Sequence, residues 1–272
     1  MDASTERQFY YHADASPVGG YITQPFEHII TTDASSSLAQ AGGLTTASHE
    51  AYRLDPIVST KNAYSHITGA KNEKNGNWTT LTTSVVEQLN VLEVVTADRI
   101  VARLGVEHPA VGYTPRVSFV GVQFDNLRVN GHNVHPKLNL NLLDFDHEKF
   151  PDRSHTKNEN FIQKITVHSR RITEAKDVPE WLKARYGWVQ SAEEREKRGY
   201  VLCSLVEEVQ GVEDANSVGH VIIVPDFGNI FLGELVLDHG NFRLTMMRME
   251  LGCPAKGILS FATADSNGAT IP

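Results

Sequence analysis

The sequence predicts a mainly β protein, an antiparallel β-sandwich or barrel interrupted by a helical insertion at about 151–199. Three observations carry the prediction. Val- and Thr-rich segments with period-two alternation fill residues 8–150 and return after 218. Clusters of Gly, Pro, Asn and Asp separate them, as turns require. Between the two β regions lies a stretch whose apolar residues recur at helical spacing instead.

In chain order, LTTSVVEQLNVLEVVTADRIVARLGVEHP is the first strong β segment. Val85, Val86, Leu89 and Leu92 also fit a helical period, but the β-branched density and the lack of an N-cap favour strand, with Thr96-Ala97-Asp98-Arg99 as its break. RVSFVGVQFDNLRVNGHNV then reads as a strand with Val117, Phe119 and Gly121 on one face, Val120, Val122 and Phe124 on the other, and Asn130-Gly131 as the closing turn. In KLNLNLLDFDH, Leu138, Leu140 and Leu142 alternate with Lys137, Asn139 and Asn141. This predicts a half-buried strand that continues through a bulge at Leu142-Leu143.

Phe161, Ile165, His168 and Ile172 mark the first helix of the insertion. Pro179 opens a second as a first-turn residue, and Gly187 and Gly199 supply stops. Trp181, Tyr186 and Trp188 give the insertion an aromatic face suited to packing on a sheet. The C-terminal part is a meander: GHVIIV, NIFLGELVL, NFRLTMMRMEL and GILSFAT, joined by turns at Pro225–Gly228, Asp238–Gly240 and Gly252–Pro254. The strands of the two halves need each other for a core, so residues 1–272 read as a single β-rich domain.

A chain of 272 residues with 40% hydrophobic and 21% charged residues is ordinary for a folded protein. The net charge of -8 lacks the basic footprint that nucleic acid rewards. Residues 151–199 run against it, with 11 Lys and Arg against 8 Asp and Glu. The N-terminus carries no basic-then-apolar leader, and no run of roughly 18 apolar residues spans a membrane, so the expectation is a cytoplasmic protein. Cys203 and Cys253 are too few for a disulfide scaffold and read as two buried thiols.

The stretch GHNVHPKLNLNLLDFDHEKF raises the question of a metal, through His132, His135, Asp144, Asp146 and His147. The expectation is that none is bound. His132 and His135 point to opposite faces of an extended strand, and neither zinc nor calcium finds a full ligand set at a recognised spacing; no cofactor is implied. The Gly-x-Ser-x-Gly, P-loop, Gly-x-Gly-x-x-Gly and His-Glu-x-x-His motifs are absent.

Glu234 is of more interest. In NIFLGELVL both faces are apolar, with Phe231, Leu235 and Leu237 on one and Ile230, Leu232 and Val236 on the other, so a carboxylate there needs a partner. Arg243, Arg248 and Glu250 on the next strand make either a structural ion pair or a pocket floor. In the pocket version, Glu234 with a raised pKa beside His220 suits proton transfer, and Glu234, His220 and Arg248 are the catalytic set. Asp98, at a strand edge, and Trp181 are the ligand-binding candidates.

The phrases FYYHADASPVGG, WTTLTTSVVEQLNVLEVVTADR and ELGCPAKG resemble an uncharacterised microbial family of proteins of about this length; that resemblance implies one evolutionary unit and carries no catalytic residues. VVTADRIVAR followed by FDNLRVNGHNV is also similar to the β-rich domains named for their choice of surface anchor, without a leader or sorting tail here.

Two function classes follow. One is a non-catalytic binding or self-assembling module with a small-molecule or glycan ligand and homo-oligomeric contacts. The other is a cofactor-independent lyase, isomerase or cyclase acting in a β-walled pocket. A closed cavity holding Glu234 or His220 favours the second; a filled core with a flat apolar patch favours assembly.

Overall fold

The computed structural model describes residues 8–31, 34–112, 114–144, 155–238 and 240–271. Its frame is built from β1 (Gln8–Gln24), β2 (Asn62–Lys71), β3 (Trp78–Val91), β4 (Val95–His108), α1 (Glu159–Thr173), α2 (Glu180–Tyr186), α3 (Ala192–Arg198), β5 (Tyr200–Ser204), β6 (Val221–Val224), β7 (Gly228–Asp238), β8 (Asn241–Leu251) and β9 (Lys256–Ile271). Two antiparallel sheets pack face to face as a sandwich, and neither closes into a barrel.

The first sheet runs β6–β7–β8–β9–β1, with β5 beside the second half of β7. Its N- and C-terminal strands pair along their length, from Gln8↔Ile271 to Gln24↔Lys256. The second sheet is Gly43–Glu50, β2, β3 and β4, with short segments laid end to end along β4. Val86, Ile100 and Leu104 of the second sheet meet Leu232, Leu235, Met247 and Phe261 of the first in a core sealed from water.

Four strands of the first sheet break step at one level. Pairing runs Leu232↔Met247 then Glu234↔Thr245, Met247↔Phe261 then Thr245↔Thr263, and Phe261↔Val18 then Thr263↔Ser16, so Gly233, Met246, Ala262 and Pro17 fall out of the ladder together. Gly233 at φ +62° and Ala262 at φ +51° adopt the left-handed backbone that such breaks use. The result is a crease across the sheet, and side-chain parity reverses at it.

The helical insertion is present as α1, α2 and α3. Asn158 caps α1 by accepting from the Phe161 N–H, Ser191 caps α3 in the same way, and Gly199 ends α3 in the left-handed conformation. Phe161 and Ile165 reach the main core, whereas Ile172, Leu182 and Tyr186 pack on Val221 and Phe231 of the first sheet's outer face.

Several local expectations are corrected. Pro179 is the N-cap of α2 rather than its first helical residue. Thr96–Arg99 lies within β4, and the turn falls at Leu92–Val94, where Leu92 and Glu93 take positive φ. The segment 116–134 is divided rather than one strand, because Gly121 and Asn126 at positive φ turn the chain; Val122 is buried with Phe119, and Val120 is exposed. KLNLNLL leaves its strand after Leu138, and turn structure follows, with Leu142 and Leu143 both buried and Leu140 exposed. Cys203 is buried, Cys253 is exposed, and both are free thiols.

Candidate functional site

The crease decides which way Glu234 faces. The simple alternation predicted for β7 put Glu234 with Ile230, Leu232 and Val236, and Phe231 with Leu235 and Leu237. Instead Ile230, Leu232, Leu235 and Leu237 enter the core, while Phe231 and Val236 join the outer cluster, on the face where Glu234 bonds to Arg248. The unpaired step at Gly233, opposite the unpaired Met246, makes this change without shifting the register.

Glu234 is 5% exposed, and both carboxylate oxygens are occupied. Oε1 accepts from Arg185 Nη2 at 2.7 Å and from the Tyr186 hydroxyl at 2.8 Å, while Oε2 accepts from Arg248 Nε at 2.7 Å. Burial alone raises such a carboxyl; the guanidiniums of Arg248 and Arg185 overcome it and hold Glu234 down to about 2. Arg248 also donates to Glu250 at 2.6 Å, and its guanidinium carbon lies 3.8 Å from the Phe231 ring centroid, with that of Arg185 at 4.9 Å from the same ring.

Behind the carboxylate, the Tyr186 hydroxyl lies 2.8 Å from His220 Nε2. The tyrosine has one proton and gives it to Glu234, so His220 carries its proton on Nε2 and donates to the phenol oxygen. His220 Nδ1 is then a bare acceptor, and it has no partner. Burial, reinforced by His168, pushes His220 well below the usual imidazole range, and burial with Glu234 raises Tyr186 well above the usual phenol range. The His168 ring centroid is 5.2 Å from that of His220, and burial followed by Arg171 lowers its pKa to about 4.

The front of this network opens on a groove of about 540 Å³ at the crease, walled by Arg185, Glu234 and Arg248 and, further along the strands, by Arg243, Asp265 and Asp14. Arg243 Nε donates to Asp265 Oδ2 at 2.7 Å, whereas Oδ1 of Asp265 has no partner. Burial raises the Asp265 pKa against the pull of Arg243. Asp14 faces Asp265 across the strands and accepts from Ser37.

Of the predicted residues, Glu234, His220 and Arg248 are brought together. The raised carboxyl that the pocket version required of Glu234 is not found, since two arginines stabilise its charged form. Asp98 stands apart, exposed on β4, bonded to Gln88 and to Asn126. Trp181 packs edge-on to Phe231 at 6.1 Å, outside the groove wall. His132 meets Glu213 and Asp214 at 3.3 and 3.6 Å, His135 is exposed on the following strand, and Asp144 is also exposed. Asp146 and His147 lie outside the described residues. Among the described residues no group of three His, Cys, Asp or Glu is placed to hold a metal ion. None of the helices described is long and apolar enough to cross a membrane.

Sequence reasoning missed Arg185 as a partner and treated Tyr186 as packing. The signal was the surplus of basic residues in the insertion, set against a carboxylate on a doubly covered strand.

Residues 9–238 match the family described as Domain of unknown function (DUF8256). The chain belongs to that family. The match covers most of the chain and agrees with the uncharacterised-family resemblance; the likeness to choice-of-anchor domains gains nothing from it. No curated protein and no solved structure matches.

Proposed function

We propose that this member of the family is a non-catalytic binding protein, acting in the cytoplasm, that holds a polar ligand in the groove on the outer face of its first sheet. One observation carries the reading: Arg185 and Arg243 line the groove, each already fixed by a buried carboxylate, Glu234 or Asp265. Guanidiniums anchored in advance lose little rotamer freedom on binding, which favours recognition. Glu234, held ionised at about 2, suits an anchor; a proton carrier needs a pKa near the working pH.

The test is ligand-detected NMR with mixtures of polar metabolites and oligosaccharides, on the wild type and on Ser260→Trp, which fills the groove from β9. The expected result is binding to the wild type, loss of it in the variant at unchanged melting temperature, and ligand recovered chemically intact. Binding that survives in Ser260→Trp places the site elsewhere. Conversion of the ligand to product favours the lyase, isomerase or cyclase alternative.

A further inference from the structure

Glu234, Thr245, Thr263 and Ser16 occupy successive strands at one register level, all on the outer face and all in the groove wall. They form a row across the sheet, directly beside the crease. The Thr245 and Thr263 hydroxyls lie 3.3 Å apart, and Ser35 donates to Ser16 at 3.2 Å, so the row offers adjoining hydroxyls held in place. Neighbouring strand backbones are about 4.8 Å apart, and the two threonine hydroxyls lean together across that gap.

Charge narrows the ligand. Arg185, Arg243 and Arg248 in the wall are balanced by Asp14, Glu234 and Asp265, so neither an anion nor a cation is attracted by a net field. Asp265, nine-tenths buried in the wall, keeps one oxygen without a partner, and the remaining N–H groups of Arg185 and Arg243 are donors. Hydroxyl groups both donate and accept, and so serve this mixture of partners. Hydroxyl density narrows it further. A saccharide presents hydroxyls at nearly every ring carbon, whereas a peptide presents them only at Ser, Thr and Tyr.

On the reading that the groove binds a ligand, we infer that its ligand is a neutral oligosaccharide laid over Thr245, Thr263 and Ser16. Arg185 beside Glu234 and Arg243 beside Asp265 donate to its hydroxyl oxygens. Among the described residues no aromatic ring lines the groove, so hydrogen bonding is the main source of affinity.

The experiment is isothermal titration with cellotriose, xylotriose, mannotriose and N-acetylchitotriose, together with a galacturonate trimer and a Ser- and Thr-rich hexapeptide. The expected result is that a neutral trisaccharide binds, that its disaccharide binds about tenfold more weakly, and that Thr263→Val weakens the trisaccharide about tenfold at unchanged melting temperature. Failure of every neutral trisaccharide at millimolar concentration overturns the inference. Binding of the galacturonate trimer or the peptide alone, abolished by Ser260→Trp, overturns the ligand class and leaves the groove reading standing. Saccharide binding indifferent to both Thr263→Val and Ser260→Trp overturns both.

Discussion

Phe231 and Glu234, three residues apart on one strand, project from the same face of the sheet, where Arg248 stacks on the first and bonds to the second. Regular strand geometry places i and i+3 on opposite faces. The exception is made at Gly233, whose φ of +62° lets the backbone bulge. The whole ionic cluster hangs on this bulge, since an unbroken ladder would turn Glu234 into the apolar core.

Gly233→Ala tests that dependence. A Cβ here meets Val206 Cγ2 at 3.1 Å and carries the penalty of the left-handed backbone as well. The expected loss is about 1–3 kcal/mol, read as a lower urea midpoint. Unchanged stability would show that the bulge forms without the glycine.

Glu234→Gln leaves the half-buried Arg185 and Arg248 against a neutral amide. Removing one partner from such a pair costs about 3–5 kcal/mol, more than the pair contributes relative to apolar packing. The double variant Glu234→Met with Arg248→Met is therefore expected to be more stable than Glu234→Gln alone. If chemical denaturation ranks them the other way, the cluster is a net source of stability beyond its role in fixing Arg185.

Tyr186→Phe deletes the link between Glu234 and His220. It leaves the His220 Nε2–H without an acceptor inside the protein, at a cost of about 1–3 kcal/mol. Rescue of stability by His220→Phe in the Tyr186→Phe background is expected, because both polar ends are then gone. A purely packing role for Tyr186 predicts instead that Tyr186→Phe has no effect.

The strands and the insertion were legible because their signals are local. Alternation, turn residues and the helical spacing of Phe161, Ile165 and Ile172 survive without knowledge of partners. Glu234 was legible as a carboxylate requiring a counter-charge, and Arg248 as one source of it. Its facing was not, since the parity change at Gly233 coincides with breaks at Met246, Ala262 and Pro17, and only the assembled sheet aligns these four. For the same reason Thr245, Thr263 and Ser16 form a row by register, and register links residues whose separation in sequence carries no pattern. The breaks at Gly121 and Asn126 were hidden by apolar neighbours that imitate a continuous strand.

Acid should destabilise the fold well above the carboxylate range. His108 and His168 are lowered to about 4 and His220 is lowered further, in each case first by burial. The folded state therefore binds these protons less readily than the unfolded chain, whose imidazoles titrate near about 6.5. Their contribution is complete above about pH 6.5 and is lost as pH falls toward 4, on the order of 3 kcal/mol each for His108 and His168. Glu234 acts in the same direction at lower pH: its contribution is present above about 4.5 and disappears as pH falls toward 2. Asp265, raised by burial, opposes the loss only within the carboxylate range. Urea midpoints measured from pH 7.5 down to 4.5 should fall most steeply below about 6.5, and His168→Gln should flatten part of that slope. A midpoint that stays level from pH 7.5 to 5 would mean that these rings are not held neutral by the fold, and would remove the basis for leaving His220 Nδ1 without a proton.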